Sequence, residues 1–205
     1  MKLIIIDGPD NTGKTTVLNH LKDLLINYGG VSPTHIKTIH SVKPKGRTDK
    51  SRTQNAYDYN VDLIKNLVNA SYANTWDYVF LDRSWISEYV YSQLYRNVNK
   101  DAAEDSLLRH ERALSLQYNN AHDEIYFIML TSTDPAFLKN HEDGESLSMQ
   151  SDNPLDMMYK EIDLFNEAFE LSNYAHKIKV NVNAPNNNEF KTFDAVIDEI
   201  TKEMF

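Results

Sequence analysis

Lys2-Leu3-Ile4-Ile5-Ile6-Asp7-Gly8-Pro9-Asp10-Asn11-Thr12-Gly13-Lys14-Thr15-Thr16 is the stretch that decides the fold. Its aliphatic opening reads as a strand buried on both faces, the kind found in parallel sheets. Gly8 to Thr15 then sets two glycines, a lysine and a hydroxyl at the offsets of a phosphate-binding P-loop. Val17, Leu18, Leu21, Leu24, Leu25 and Tyr28 follow on one helical face, and Gly29-Gly30 ends that helix. A strand, a glycine-bearing turn and a helix in this order aim backbone N–H groups at an anion. Lys14 is expected to reach the β and γ phosphates of ATP and Thr15 to ligate Mg²⁺. Gly8, Asn11, Thr12, Gly13 and Thr16 complete the expected cradle.

Outward from this unit the same alternation continues. His35 to Val42 can form a second strand, and the Gly-, Pro- and Lys-rich stretch to Arg52 reads as an exposed loop. Helical spacing resumes near Ala56 through Val61, Ile64, Leu67 and Val68. Asp77 to Asp82 is a third strand, followed by an aromatic-rich helix from about Ser84 to Arg96 and another from about Ala102 to Tyr118. Ile125 to Thr131 makes a fourth strand and Ile178 to Val182 a fifth. Between these two lie a polar, acidic stretch, residues 139–153, expected to be a lid, and a helix carrying Leu155, Met158, Ile162, Phe165 and Phe169. Asn186-Asn187-Asn188 reads as a turn, and Phe193, Ile197, Ile200 and Met204 mark the last helix. Strands separated by helices throughout imply a three-layer α/β domain with a parallel sheet, spanning residues 1–205.

Composition narrows the class further. With 205 residues, 41% apolar and 25% charged, the chain can bury a full core. The run Leu3 to Ile6 is too short to span a bilayer or serve as a secretory h-region, and a cytoplasmic protein is expected. Cysteine is absent, which removes thiol catalysis, thiolate metal sites and disulfides together. The seven histidines show no metal-ligand spacing. A net charge of -9 argues against a protein whose main work is coating nucleic acid. Lys37, Lys43, Lys45, Arg47, Lys50 and Arg52 form a local exception, interrupted only by Asp49, and no arginine follows Arg112.

Asp82 closes the apolar run of the third strand, the end at which ligands bind in open α/β sheets. A carboxylate there can hold a metal-bound water or orient an acceptor hydroxyl, and Arg83 beside it offers a fork for a phosphoryl group. The tyrosines Tyr89, Tyr91 and Tyr95 near Trp85 read as helix-to-sheet packing, and the acidic faces of the helices after Pro154 as solvent-facing.

Ile4 to Thr16, with an acid and glycine opening the loop and a second acid in its middle, resembles the P-loop of the thymidylate kinases, which are deoxynucleoside monophosphate kinases. Leu81-Asp82-Arg83-Ser84, with Ser87 and Tyr91 following, resembles that family's Asp-Arg motif. Arg83 to Glu88 is also similar to the deoxyribonucleoside kinases. The specific motifs cover about residues 3–18 and 79–96, and the order of elements matches along the whole chain. The resemblance implies a five-stranded sheet of order 2-3-1-4-5, Asp10 on the acceptor's sugar hydroxyl, and Arg83 on the phosphates between donor and acceptor, with Ser87 close by. It also places the adenine of ATP near Asn183 and Ala184. The resemblance implies a divergent, viral-type member. The P-loop carries Asn11 after Asp10, and the lid offers Lys139 among acids, where relatives carry an arginine in one place or the other. The Phe and Arg pair that reads thymine in the relatives is replaced by Gln54-Asn55-Ala56-Tyr57-Asp58-Tyr59, so Tyr57 or Tyr59 is expected to stack on the base and Gln54 or Asn55 to meet its edge.

The function expected is transfer of the γ-phosphoryl group of Mg-ATP to a deoxynucleoside monophosphate. Lys14, Asp82, Arg83 and Asp10 act in catalysis, Thr15 and Asp82 at the metal, and Asp10, Gln54, Tyr57, Arg83 and Ser87 on the acceptor. Two other classes stay open: a kinase for a hydroxyl of a nucleoside or of DNA, with Lys43 to Arg52 tracking the backbone, and a nucleotide-binding regulator with weak activity. A small-molecule acceptor is the expected partner, and a homodimer is compatible with the sequence.

Overall fold

The computed structural model describes residues 1–41, 43–118, 124–140, 146–184 and 189–204. Among these, the strands are β1 (Lys2–Asp7), β2 (Ile36–His40), β3 (Tyr78–Asp82), β4 (Ile125–Thr131) and β5 (His176–Asn181). The helices are α1 (Lys14–Asn27), α2 (Asp49–Ala73), α3 (Trp85–Arg96), α4 (Lys100–Gln117), α5 (Pro135–Asn140), α6 (Pro154–Leu171) and α7 (Phe193–Met204). Every strand pairing is parallel and the order is β2-β3-β1-β4-β5, as expected.

The period of two along β1 builds the three layers. Leu3 and Ile5 pack into one cluster with Leu63, Ile64 and Leu67 of α2, Trp85 and Tyr89 of α3, Leu107 of α4 and Phe165 of α6. Ile4 and Ile6 point the other way, into a cluster with Val17, Leu18 and Leu21 of α1 and Ile197 and Ile200 of α7. Each of these aliphatic side chains stabilises the fold by about 1.5–3 kcal/mol through burial. Because β1 sits in the middle of the sheet, its carboxyl end and the loop that leaves it stand at the centre of one edge, between β3 and β4.

Several boundaries differ from the sequence reading. The basic stretch is not loop as far as Arg52. The helix α2 starts at Asp49, because Thr48 caps it and exchanges hydrogen bonds with Ser51. A serine at the third helical position is not the Glu or Gln that marks a capping box in sequence. Part of the expected lid is regular: α5 extends into it as far as Asn140 and a 3₁₀ turn covers Ser148–Gln150, while 141–145 lie outside the described residues. So do Val42, at the expected end of β2, and the expected turn at 186–188. The fifth strand begins two residues earlier than its apolar pattern, at His176. None of the described helices is long and apolar enough to cross a membrane.

Candidate active site

At the carboxyl end of β1 the P-loop is shaped by contacts only glycine allows. Gly8 adopts φ 138°, and a Cβ there would lie 2.0 Å from the carbonyl oxygen of Leu130. Gly13 caps α1 at φ 77°. The first turn of α1 has neither a side-chain cap nor an acidic residue, which leaves its positive dipole end to an external anion. Lys14 is buried and its ammonium donates to the Pro9 carbonyl, with the Thr12 hydroxyl 3.5 Å away. Burial and then the charge of Arg83 push the Lys14 pKa down to about 8. A cation held at that cost is poised for an anion.

Asp7, at the end of β1, is fully buried and ties the loop to the strand beside it. Its two carboxylate oxygens accept from the Gly8 amide at 3.0 Å, the Ser84 amide and hydroxyl at 3.0 Å, and the Ser87 hydroxyl at 2.6 Å. Burial raises its pKa, against the pull of Arg83 and of these donors. Asp82, one strand over, accepts from the Thr15 hydroxyl at 2.7 Å and meets Nδ1 of His40 at 2.9 Å. The two residues expected at the metal are therefore in contact. Their hydroxyl and carboxylate oxygens suit Mg²⁺, which takes one or two protein ligands and completes its shell with phosphate oxygens and water. No cluster of three or more His, Asp or Glu able to hold a metal occurs among the described residues.

A second group meets the P-loop from the opposite side. Arg83 donates through one nitrogen to Asp10 and through another to the Tyr91 hydroxyl at 2.7 Å. The Tyr91 hydroxyl lies 3.2 Å from Asp10 and 3.1 Å from Glu161 of α6, and the Asp10 amide donates to Glu161 at 2.9 Å. Burial pushes the Asp10 carboxyl up, but the Arg83 and Lys14 charges outweigh it and hold Asp10 below the ordinary carboxylate range. Glu161 goes the other way, to about 7, through burial and the adjacent Asp10 charge. The backbone marks the same spot. Asn11 and Arg83 hold positive φ, 64° and 67°, whereas Asn74 and Asn97, which share that region, are helix C-caps. Backbone strain of this kind is characteristic of functional sites.

A cleft of about 1100 Å³ joins these groups. Besides Lys14, Thr15 and Arg83, its lining includes Val182, Phe190, Phe193 and Val196 on the β5 side of the sheet, and Arg52, Asn55 and Tyr59 of α2 with Tyr91, Tyr95 and Arg96 of α3 on the β2 and β3 side. Within this cleft the structure brings together Asp10, Asn11, Thr12, Gly13, Lys14, Thr15, Thr16, Asp82, Arg83 and Ser87, all anticipated from sequence. It does not bring Gln54 and Tyr57 there. Helical phase turns them to the far side of α2, where they line a cavity of about 250 Å³ and Tyr57 packs on His110. Asn55 and Tyr59 take the cleft-facing positions. Asn183 and Ala184 also stand outside the cleft lining. Asn183 is buried and holds the Ser132 hydroxyl at 2.6 Å and the Thr133 amide at 3.2 Å, and it is the neighbouring Val182 and Phe190 that face the cleft. Ser87 touches the cleft, but its hydroxyl is committed to Asp7.

Four side chains escaped the sequence reading. Tyr91 and Tyr95 are not simply packing, because both line the cleft, while Trp85 and Tyr89 are core. Arg96 is 7% exposed, pairs with Glu88 at 2.6 Å, and has no hydrogen bond at Nε among the described residues. Glu161, expected among solvent-facing acids, is 1% exposed. Its signal was present: it falls on the apolar stripe of Met158, Ile162 and Phe165, and a carboxylate on a buried stripe must have partners.

A family model described as an AAA domain matches residues 3–160. The match takes in the P-loop, Asp82 and the Arg83 to Tyr91 segment. None of the curated proteins compared with the chain matches it.

Proposed function

The chain belongs to the AAA domain family, a P-loop nucleotide-binding family, and from that premise we propose that it is a kinase passing the γ-phosphoryl group of Mg-ATP to a deoxynucleoside monophosphate, in the manner of the thymidylate kinases. The observation that carries this reading is the shape of the cleft. A nucleotide hydrolase needs one nucleotide site, whereas this cleft is lined on both sides of the P-loop: by Phe190 and Phe193 toward β5, and toward β2 and β3 by a second set of cations and aromatic rings on α2 and α3, its second lobe. Its volume of about 1100 Å³ exceeds what one small ligand fills.

In this reading Lys14 and the amides of the Gly8 to Thr16 loop grip the donor phosphates. Thr15 and Asp82 would hold Mg²⁺, which neutralises phosphate charge when bound. The donor's base lies against Phe190 and Phe193 rather than at Asn183. Arg83 stands between the lobes, where charge develops on the phosphoryl group in flight, and stabilisation there is worth several kcal/mol. Asp10 orients the acceptor sugar, Tyr59 and Tyr95 flank the acceptor base, and the Glu88–Arg96 pair offers it an acceptor and a donor. Arg52, at the mouth of this lobe, supplies a charge that the lid lacks.

Incubation with labelled ATP and a panel of deoxynucleosides, their monophosphates and single-stranded DNA tests the proposal. Label should appear in a diphosphate. A second reading, transfer to a hydroxyl of DNA, is favoured by one observation: Lys43 and Lys45 join Arg52 along the same lobe. Label in the oligonucleotide alone would replace the first reading with the second.

A further inference from the structure

Among the buried ionisable groups that take no part in the proposed transfer, one on α6 reaches the P-loop. Glu161 sits on α6, reached by the chain 151 residues after Asp10, yet it is among the least exposed polar residues and touches the P-loop directly. Three features define its place. Its Oε1 accepts the backbone N–H of Asp10 at 2.9 Å. The same oxygen lies 3.1 Å from the Tyr91 hydroxyl, which is itself 3.2 Å from Asp10 Oδ1. Arg83 occupies that hydroxyl's acceptor side at 2.7 Å. A tyrosine hydroxyl carries one proton, so Asp10 and Glu161 compete for it.

We propose that Glu161 is a positioning residue for Asp10: by holding the Asp10 amide and by yielding or claiming the Tyr91 proton, it sets whether the Asp10 carboxylate is fixed for the acceptor. This inference rests on the proposed kinase reading. The competition has a definite direction. Neutral Glu161 still accepts the Asp10 amide and leaves the Tyr91 proton to Asp10, the charged and therefore stronger acceptor. Ionised Glu161 claims that proton and adds a second negative charge beside Asp10. The groups facing Glu161 are Asp10 and Lys14 from the P-loop, Arg83 after β3, and Tyr91 and Tyr95 from α3. The balance of these groups brings Glu161 to titrate near neutral pH, at about 7. Glu161 touches neither Thr15 nor Asp82, and its charge is the last of those acting on Lys14, so the effect falls on the acceptor more than on the metal or donor.

The test compares wild type, Glu161→Gln and Glu161→Ala in the full chain, with acceptor KM, kcat and ATP Kd measured from pH 6 to 8.5. Wild-type acceptor KM should rise several-fold across that range, while ATP Kd, which follows the charge of Lys14 with its pKa of about 8, should agree within twofold between wild type and Glu161→Gln at every pH. Glu161→Gln keeps an oxygen for the Asp10 amide and cannot ionise, so its KM should remain at the low-pH value throughout. Glu161→Ala should show a KM raised at least fivefold at every pH. The proposal is overturned if Glu161→Gln follows the wild-type pH profile, or if Glu161→Ala, once folded, leaves acceptor KM within twofold. Should Glu161→Ala fail to fold, the Gln variant alone decides. Thermal melting separates this inference from the kinase reading. A carboxyl whose pKa is raised on folding binds more protons in the folded state, so its contribution falls as pH rises from about 4.5 to about 7. Wild type should lose melting temperature relative to Glu161→Gln through that window and by a constant amount above it. Failure to label any acceptor alongside that melting difference sinks the kinase reading and leaves the Glu161 titration standing. Parallel melting curves sink the titration whatever the acceptor proves to be.

Discussion

The two ends of the cleft are built in opposite ways. In the proposed reading the donor's phosphate site comes from one continuous stretch, Gly8 to Thr16, whose geometry is fixed by positive-φ glycines and a helix start, joined by the distant Asp82. The proposed acceptor end is gathered from four places: Asp10, the cleft face of α2, Arg83 with the helix α3 that follows it, and Glu161 of α6. The first arrangement tolerates change in the rest of the chain, since backbone amides do the binding. The second depends on every element keeping its place, and in the proposed reading it is the end where substrate identity is decided. Alterations at the donor end should therefore stop turnover altogether, and those at the acceptor end should redistribute it among substrates.

Lys14→Ala should break the donor end with the largest effect. Loss of a charge on the transferred phosphate is worth several kcal/mol, so turnover should fall at least a hundredfold. Stability should hold or rise, because burial and Arg83 both disfavour the charge of Lys14 in the folded protein. Steady-state assay and a melting curve check the two halves together. A variant retaining more than about a tenth of wild-type turnover would falsify the assignment of Lys14.

Asp10→Ala comes next, and it asks whether Asp10 belongs to the acceptor end despite lying inside the donor loop. Removing a charge-assisted hydrogen bond of about 1.5–3 kcal/mol should raise acceptor KM, or lower kcat, by roughly 10- to 100-fold with ATP Kd nearly unchanged. Isothermal titration with a non-hydrolysable ATP analogue supplies the second number. Equal damage to ATP binding would erase the division between the ends, since Asp10 would then be a cap of its own loop.

What could be read from sequence follows the same division. Gly8, Lys14 and Thr15 announce themselves because a local motif carries its own geometry, and the alternation of strands and helices announces the layers because burial has a period. The acceptor wall is different. Choosing Tyr57 over Tyr59 required the phase of α2, which depends on a start at Thr48 set by a Ser51 contact rather than by the usual Glu or Gln. Arg96 became visible only once the helices were packed, whereas Glu161 was marked in sequence only by its place on the apolar stripe of α6. Tyr59→Ala and Tyr57→Ala turn that lesson into a measurement. Stacking on a base is worth about 1–3 kcal/mol, so Tyr59→Ala should raise acceptor KM by about tenfold, and Tyr57→Ala should leave it within twofold. The reverse ranking would return the base to the sequence-based position and with it the smaller cavity.

The smallest effect is expected from the basic run, where sequence and structure must be weighed against each other. Six cations between Lys37 and Arg52 against one acid suggest a track for a phosphate backbone. The fold divides them. Lys43, Lys45 and Arg52 line the cleft, whereas Arg47 and Lys50 do not, and Arg52 is already paired with Asp49 at 2.5 Å. The carbonyl of Lys45 is held by Asn55 at 2.6 Å, which ties this stretch to the acceptor wall. A single nucleotide can engage one or two of these side chains; a polynucleotide engages several, including those outside the cleft. Neutralising Lys45 and Lys50 together should therefore change activity on a monophosphate by less than a few-fold. Binding of a labelled single-stranded oligonucleotide should be weak, because a net charge of -9 opposes long-range attraction to nucleic acid. Each backbone contact on a single strand contributes a slope of about -0.7 in log affinity against log salt. A slope near zero agrees with a lobe built for one nucleotide. A slope of about -3 with micromolar affinity, reduced by the double variant, means that the acceptor end extends along the surface past Lys50, and that the second lobe is the entry to a strand rather than a pocket.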